Sequence, residues 1–477
     1  MNQLPENNIP ICIDLDKTLV KTDLLQEAIV GLIKSNPINI LLIFVWISKG
    51  LVHFKNQVFS KSNINFATLP YNQDLIAYIK QLKENGSKIY LVTASVQAIA
   101  DGVGKELGIF DACYGTREDY NLKGSYKKAF LIENFGDKNY IYAGDSKADL
   151  KVWTNAAGAI VIGSKSFAEQ VSKTTKVVKN IKGAEFSFKK IVKAIRVYQW
   201  VKNVLLFLPL LLAHKIGDMD LLIKAITGFF AFSFISSSVY VFNDLLDLEA
   251  DRIHPRKRFR PFASGDISAF RGLFIGTLLF ILANLISFSL NWKFGLVVLI
   301  YFTTSSLYSI KLKQIPLLDI FIIAGLFTIR MFAGAQAVQV PLSSWLLMYA
   351  LFLFLGLASI KRYNELLQNI KNNKSFIAGR GYQKEDVQLI QILGVSCGMM
   401  SILVYLLYVN SPQIALLYSN SKYLILNTPL LLIWVLRLWY LTNHGKMTDD
   451  PIVFTLKDKV SYLILGGVML ITILAAI

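Results

Sequence analysis

Two groups of carboxylates carry the chemistry legible in this sequence. The first begins where an apolar run, Ile9 to Ile13, ends in Asp14-Leu15-Asp16-Lys17-Thr18. That order predicts a strand delivering two carboxylates at its carboxyl end, where open α/β sheets place their active sites. Leu91-Val92-Thr93-Ala94-Ser95 predicts a second strand, ending in hydroxyls. Tyr140-Ile141-Tyr142-Ala143-Gly144-Asp145-Ser146 predicts a third, with Asp149 one helical turn beyond its terminal carboxylate. Between them, Lys123, Lys127 and Lys128 supply cations. Carboxylate, hydroxyl and lysine at neighbouring strand ends suit a phosphate group and Mg²⁺, because a hard cation takes oxygen ligands and phosphate needs a positive partner. Strand-end carboxylates can also serve only as helix caps.

The second group is Asn243-Asp244-Leu245-Leu246-Asp247-Leu248-Glu249-Ala250-Asp251-Arg252, followed by His254, Arg256, Lys257, Arg258 and Arg260. Asp244, Asp247 and Asp251 recur at three- and four-residue spacing, which predicts one helical face at the end of an apolar span. Three carboxylates so placed repel one another unless cations sit between them. Mg²⁺ bridging a diphosphate fits, and the Arg and Lys residues just beyond can hold the remaining phosphate charge. A charge run is usually a solvated loop, but carboxylates closing an apolar span are more often functional. His254 reads first as a residue ordering this loop.

The elements that must position these groups follow from composition. Of 477 residues 54% are apolar and only 17% charged, against about a quarter charged in soluble domains. This excludes a plain soluble globule, a disordered chain and a collagen-like fibre. The formal charge is +18; in so apolar a chain that predicts a positive cytoplasmic face drawing phosphorylated ligands, with no nucleic-acid partner. Cys12, Cys113 and Cys397 lie far apart, so neither a disulfide framework nor a zinc site is expected.

Composition changes character near residue 190. An α/β doubly wound domain is expected over 1–180, a basic linker helix over 181–197 (Lys182, Lys189, Lys190, Lys193, Arg196) on anionic lipid, and an all-α polytopic membrane bundle over 198–477. The polar opening, Met1 to Pro10, does not read as a signal peptide, so the first domain is expected in the cytosol. A span needs about 20 apolar residues; candidates are 198–213, 222–245, 269–290, 294–311, 315–336, 343–361, 388–409, 422–441 and 459–477. The loops 246–268, 361–387 (including Lys371, Lys374 and Arg380) and 442–459 are basic and the alternate ones are not, which predicts a multi-pass protein of the cytoplasmic (inner) membrane with the basic loops inside. Residues 36–50 are apolar but too few to span; they predict a buried cap helix or an element that dips into the membrane. Asp449 and Asp450, in the last basic loop, suggest no chemistry of their own.

The motifs around Asp14, Thr93, Lys127 and Asp145, in this order, resemble the haloacid dehalogenase-like phosphatases over about residues 9–180. The resemblance implies Asp14 as a nucleophile forming an aspartyl-phosphate and Asp16 as general acid/base. It implies Thr93 on the phosphate, Lys127 (or its neighbour Lys128) neutralising it, Mg²⁺ held at Asp14, Asp16 and Asp145, and Asp149 supporting that end.

The segment from Asn243 resembles the N-D-x-x-D-x-x-x-D motif of UbiA-type intramembrane prenyltransferases, over about residues 190–477. Members of that superfamily usually carry a second motif, D-x-x-x-D; here Asp319 is present, but Ile323 stands where its second carboxylate belongs. Trp200-Val201-Lys202-Asn203, the run Asp251-Arg252-Ile253-His254-Pro255 through Arg260-Pro261, Tyr308 to Lys313, Arg330 and Lys361-Arg362-Tyr363 look like the decaprenyl-phosphate phosphoribosyltransferase branch. That likeness implies transfer of phosphoribose from phosphoribosyl diphosphate to a polyprenyl phosphate, with Mg²⁺ and diphosphate at Asp244, Asp247 and Asp251. Lys202, Lys257, Arg260, Lys311 and Lys361 are the implied phosphate contacts, and Asn243, Arg252, Asp319 and Arg362 further substrate contacts. The fused phosphatase would then remove the 5-phosphate of the lipid product. Prenyl transfer to an aromatic acceptor, and non-catalytic lipid binding or transport, stay open at this point, as does a homo-oligomer.

Overall fold

The computed structural model describes residues 9–36, 38–117, 120–184, 187–371, 380–448 and 450–477; the expectations placed on Met1 to Asn8, Lys374 and Asp449 lie outside them. The chain forms two compact units. One comprises residues 1–196 and 240–277, the other 197–239 and 278–477. This differs from the linear boundaries expected from composition, because the segment carrying Asp244, Asp247 and Asp251 groups with the first 196 residues.

The first unit is built on a six-stranded parallel sheet of order β3-β2-β1-β4-β5-β6. The strands are β1 (Ile11–Ile13), β2 (Ile89–Val96), β3 (Ala112–Thr116), β4 (Ile141–Gly144), β5 (Gly158–Ile162) and β6 (Val177–Ile181). β1, β4 and β5 are buried throughout, as expected of parallel strands covered by helices on both faces. After β1 come α1 (Leu24–Ser35), α2 (Asn39–Ser48), α3 (Leu51–Lys61) and α4 (Gln73–Glu84). The crossovers are α5 (Gln97–Leu107), α6 (Ser125–Phe135), α7 (Leu150–Trp153) and α8 (Lys165–Ser172). The sheet reverses direction of winding at β1, between β2 and β4, which is where a doubly wound fold opens its ligand crevice.

The basic linker differs from one continuous helix: among its described residues α9 (Phe188–Ala194) is the α-helix, and Arg196 takes a left-handed backbone, φ 54°. Residues 198–213 are not one α-helix. A 3₁₀ stretch, Val197–Phe207, leads into α10 (Leu208–Leu212), and the chain is broken before it, at Ile195–Arg196, so that α9 and this stretch form a bent pair. Pro209 at the start of α10 has no amide to donate, and buried Asn203 spends its side chain on Ser233 and Arg330.

Eight helices among the described residues are long and apolar enough to cross a membrane. They are α11 (Met219–Leu246), α13 (Ala269–Leu290), α14 (Trp292–Ile310), α15 (Leu318–Val338), α16 (Ser344–Lys371), α17 (Val387–Val409; with the 3₁₀ turn before it, Lys384–Val409), α19 (Asn427–Asn443; with the 3₁₀ stretch before it, Ser421–Asn443) and α21 (Lys459–Ala476). The bent pair makes a ninth if counted as one span. Short helices α12 (Leu248–Ile253), α18 (Pro412–Leu417) and α20 (Pro451–Thr455) lie between them. The protein is therefore a multi-pass membrane protein carrying an α/β domain.

Candidate active sites

The β1, β2 and β4 ends bring the first carboxylate group together. Asp14 follows β1 directly; its Oδ1 accepts from the Leu15 amide at 2.9 Å and from Lys127 Nζ at 2.8 Å. Lys127 projects from the first turn of α6 and is almost wholly buried, with Nζ also donating to Tyr142 Oη at 2.9 Å. Tyr142 in turn donates to Asp149 Oδ1 at 3.1 Å, and Asp149 Oδ2 accepts from the Ser146 amide and hydroxyl. Gly144 is required here: a Cβ on it would lie 2.9 Å from the Asp149 carboxyl carbon. Carboxylate oxygens of Asp14, Asp145 and Asp149 all lie within 4.8 Å of one another. Such an all-oxygen set suits Mg²⁺.

Asp16 is turned elsewhere. Its Oδ1 accepts from the Leu24 amide at 2.8 Å and Oδ2 from the Ser95 hydroxyl at 2.9 Å, so its side chain lies outside the carboxylate cluster where a metal ligand was expected. Lys17 takes a left-handed backbone, φ 57°, which turns the chain between Asp16 and the Thr18 hydroxyl facing Asp145. Thr93 is fully buried and accepts from the Ser95 amide at 3.0 Å. Burial, with the charges of Asp23 and Asp14 added, pushes the Asp16 carboxyl up to about 7. Burial and the neighbouring Asp14 and Asp149 push Asp145 up to about 7 as well. Burial raises Asp14 too, against the pull of Lys127. Acids this close, in so little water, favour one another's protonation, and a divalent cation relieves the same repulsion.

Sequence reasoning singled out neither Tyr142 nor Lys55, and took Ser95 only as a strand-end hydroxyl, not as the donor to Asp16. Lys55, from α3, donates to the Ala94 carbonyl at 2.7 Å, beside Thr93 and Ser95. A tyrosine two residues before G-D-S offered a signal, since a buried phenol must find a polar partner; Lys55, far from the motifs in sequence, offered none.

The second carboxylate group lies at the end of α11. The helix breaks at Asp247, which precedes α12 with φ −102° and ψ 15°, yet the Asp247 and Asp251 amides still bond four residues back. Asp244 and Asp251 are buried, and both converge on Arg260 Nη1, at 3.1 and 2.5 Å. Arg196 pairs with Asp244, and Lys257 stands 3.8 Å from Asp251. Asp247 is half-buried. The spacing was read as one face awaiting cations; guanidinium groups hold two of its carboxylates. Arg196 was read only as part of the linker.

Arg252, expected to contact substrate, forks onto Glu27 of α1 with Nη2–Oε1 at 2.5 Å and donates to the Ala263 carbonyl. It fastens this loop to α1. A cleft of about 350 Å³ remains between α1, α3 and the Leu245–Arg252 stretch. Lys257 and His254 are exposed and Asn243 is half-buried. Burial and the adjoining cations Lys257, Arg260 and Arg256 hold His254 below the usual imidazole range, against the pull of Asp251.

In the second unit, Lys202 pairs with Asp450 and lies over the Phe327 ring. Asp450 caps α20, accepting from the Ile452 and Val453 amides. Burial would raise its carboxyl, but Lys202 and Lys361 outweigh that and hold it below the usual range. Asp450-Pro451 carried a cap signal in the sequence, though not the lysine it meets. Asp319 and Arg362 are fully buried and paired at 2.5 Å; Arg380 and Tyr382 also reach Asp319, and Glu365 pairs with Arg362. Asp319 and Arg362, expected as substrate contacts, thus sit in a cluster of paired charges where the second aspartate motif would stand. Arg330 is buried between Asn203 and Tyr301. Lys311 is exposed and Lys361 half-buried.

Residues 204–457 match the UbiA prenyltransferase family. The chain is 35% identical over 463 residues to an uncharacterized protein, y4nM, of Sinorhizobium fredii, covering 96% of this chain and 89% of that one. It is 37% identical over 180 residues to the decaprenyl-phosphate phosphoribosyltransferase of Mycolicibacterium smegmatis, covering 37% of this chain and 57% of that enzyme. A UbiA homologue from Archaeoglobus fulgidus, solved with GPP and Mg²⁺, overlays 59% of the chain at 15% identity with a TM-score of 0.46.

Proposed function

The chain belongs to the UbiA prenyltransferase family, and we propose that within it the protein transfers phosphoribose from phosphoribosyl diphosphate to a polyprenyl phosphate, then removes the 5-phosphate with its haloacid dehalogenase-like domain. The observation that carries the reading is the meeting of buried Asp244 and Asp251 on one guanidinium at the end of a membrane-spanning helix, in a chain 37% identical over 180 residues to a decaprenyl-phosphate phosphoribosyltransferase. In the transfer, an oxygen of the lipid phosphate attacks the ribose anomeric carbon as its bond to the diphosphate oxygen breaks, and diphosphate leaves with the electron pair. The lipid phosphate is already anionic, so no strong base is needed. Asp244, Asp247 and Asp251 would hold Mg²⁺, whose charge stabilises the departing diphosphate. Arg196 and Arg260, which neutralise the carboxylates in the structure, are the cations nearest to phosphate bound there.

In the second step Asp14 attacks the 5-phosphorus. Asp16, raised to about 7, protonates the leaving ribose oxygen and then takes a proton from the water that cleaves the aspartyl-phosphate. Lys127 holds Asp14 in place and neutralises the phosphate. Asp14 and Asp145 would hold the Mg²⁺ of this site.

The excess of Lys and Arg in alternate loops supports putting both steps on the cytosolic side of the cytoplasmic membrane. Purified protein should release diphosphate only when phosphoribosyl diphosphate, a polyprenyl phosphate and Mg²⁺ are all present. Diphosphate release from a prenyl diphosphate with an aromatic acceptor, and none with phosphoribosyl diphosphate, would overturn the reading.

A further inference from the structure

Helix α2 has no charged residue, and of its side chains only Trp46 is buried. Leu41 and Phe44 are each 67% exposed, and Ile38, Val45, Ile47 and Leu51 around them are also open. A soluble domain seldom leaves so continuous an apolar surface uncovered. Ten residues make a helix of about 15 Å, half of what crosses about 30 Å of hydrocarbon, so α2 can lie in an interface but not span it.

Its surroundings say which interface. Helix α1, which ends four residues before α2 begins, packs on the ends of two membrane-spanning helices. Val30 shares an apolar cluster with Val241 and Leu245 of α11 and with Ala269 of α13. Lys34 Nζ donates to the Leu246 carbonyl at 2.5 Å, at the last residue of α11. The chain therefore enters α2 beside the end of α11, the part of a spanning helix that lies nearest the interface. Lys49, exposed, follows α2 directly, and an apolar helix flanked by an amine suits a surface of anionic headgroups.

The other end of the hairpin reaches chemistry. Gly50, at φ 105°, joins α2 to α3, and Lys55 on α3 donates to the Ala94 carbonyl between Thr93 and Ser95. Trp46 packs into the domain core, with Lys61 of α3 over its ring at 5.0 Å. The two helices thus join the apolar surface to the mouth of the Asp14 site.

We propose that α2 lies in the bilayer interface and ties the phosphatase site to a phosphomonoester carried on a membrane lipid. The substrate half of this proposal rests on the phosphatase reading above; the placement of α2 does not.

The test uses the full chain in nanodiscs of phosphatidylethanolamine and phosphatidylglycerol, with an environment-sensitive fluorophore on Leu41→Cys or, as a soluble-face control, on Lys80→Cys. Acyl-chain spin labels should quench the first probe and not the second, and aqueous iodide the reverse. Equal iodide quenching at both positions would overturn the placement. So would protection of position 41 from both quenchers, which would mean that a second protein copy covers it. Leu41→Ser with Phe44→Ser should then lower hydrolysis of a polyprenyl-phosphoryl ribose 5-phosphate by about tenfold or more while p-nitrophenyl phosphate turnover is unchanged, because only the lipid substrate benefits from proximity. Equal turnover of both substrates in the variant and the parent would overturn the tie to a lipid. A parent protein that hydrolyses neither substrate would sink the phosphatase reading itself, and the quenching result would still decide where α2 lies.

Discussion

The two carboxylate sites of the first unit solve the same electrostatic problem differently. At the carboxyl ends of β1 and β4, three acids crowd within 4.8 Å with one buried lysine among them, so the site holds excess negative charge and the carboxyls of Asp14 and Asp145 are driven upward. At the end of α11, Asp244 and Asp251 share Arg260, and Arg196 adds a second guanidinium. Under the proposed function the first site would take its metal before substrate comes. The second, balanced by its own arginines, would take metal and polyanion together, the anion drawing the arginines and the cation the carboxylates.

The sharpest break between the sites comes from removing one charge in each. Asp244→Asn should lower diphosphate release by on the order of 10²–10³-fold and leave hydrolysis of a soluble phosphomonoester intact; loss of both activities together would show that the sites are not separable. Lys127→Met strands a buried carboxylate and should destabilise the domain by about 3–5 kcal/mol, read as a fall in denaturation midpoint. The double change Lys127→Met with Asp14→Asn should recover a good part of that loss. Arg260→Gln should cost less, because Asp244 keeps Arg196.

Mg²⁺ should separate the sites by pH. Asp145 and Asp16 have folded values near 7, raised from an ordinary 3.8. A raised carboxyl contributes stability that is complete below about pH 4 and is lost as pH rises through 7. Metal-free protein should therefore lose stability at the Asp14 site between these limits, and the stabilisation by Mg²⁺ should grow from pH 5.5 to 8. A shift independent of pH would place the cation elsewhere. The smallest effect is expected of Gly144→Ala, whose methyl must displace the Asp149 carboxyl; phosphatase turnover should fall by about 10–100-fold, as for a lost supporting contact, with diphosphate release unchanged.

Much of this arrangement was legible in the sequence, for particular reasons. Strand ends carry their residues to one end of the sheet whatever the intervening chain does, so Asp14, Thr93 and Asp145 could be gathered from local pattern alone. Helix spacing likewise put Asp244 and Asp251 within reach of each other, since the turn at Asp247 keeps the four-residue hydrogen bonds. What local pattern could not reveal is which opposite charges arrive from afar. Arg252 meets Glu27 across 225 residues and Lys202 meets Asp450 across 248; Arg362 closes on Asp319. Each cation could be read as a substrate contact only because its carboxylate partner lay on another element. The break before Val197 was hidden for another reason: apolar content measures length enough to span, not where Arg196 takes a left-handed backbone.

The mass of the lipid product tests most directly whether one chain does both steps in order. With phosphoribosyl diphosphate, a polyprenyl phosphate and Mg²⁺, the parent protein should yield polyprenyl-phosphoryl ribose, while Asp14→Asn should accumulate the same lipid heavier by one phosphate. Identical product masses from the two proteins, or a lipid product without ribose, would contradict it.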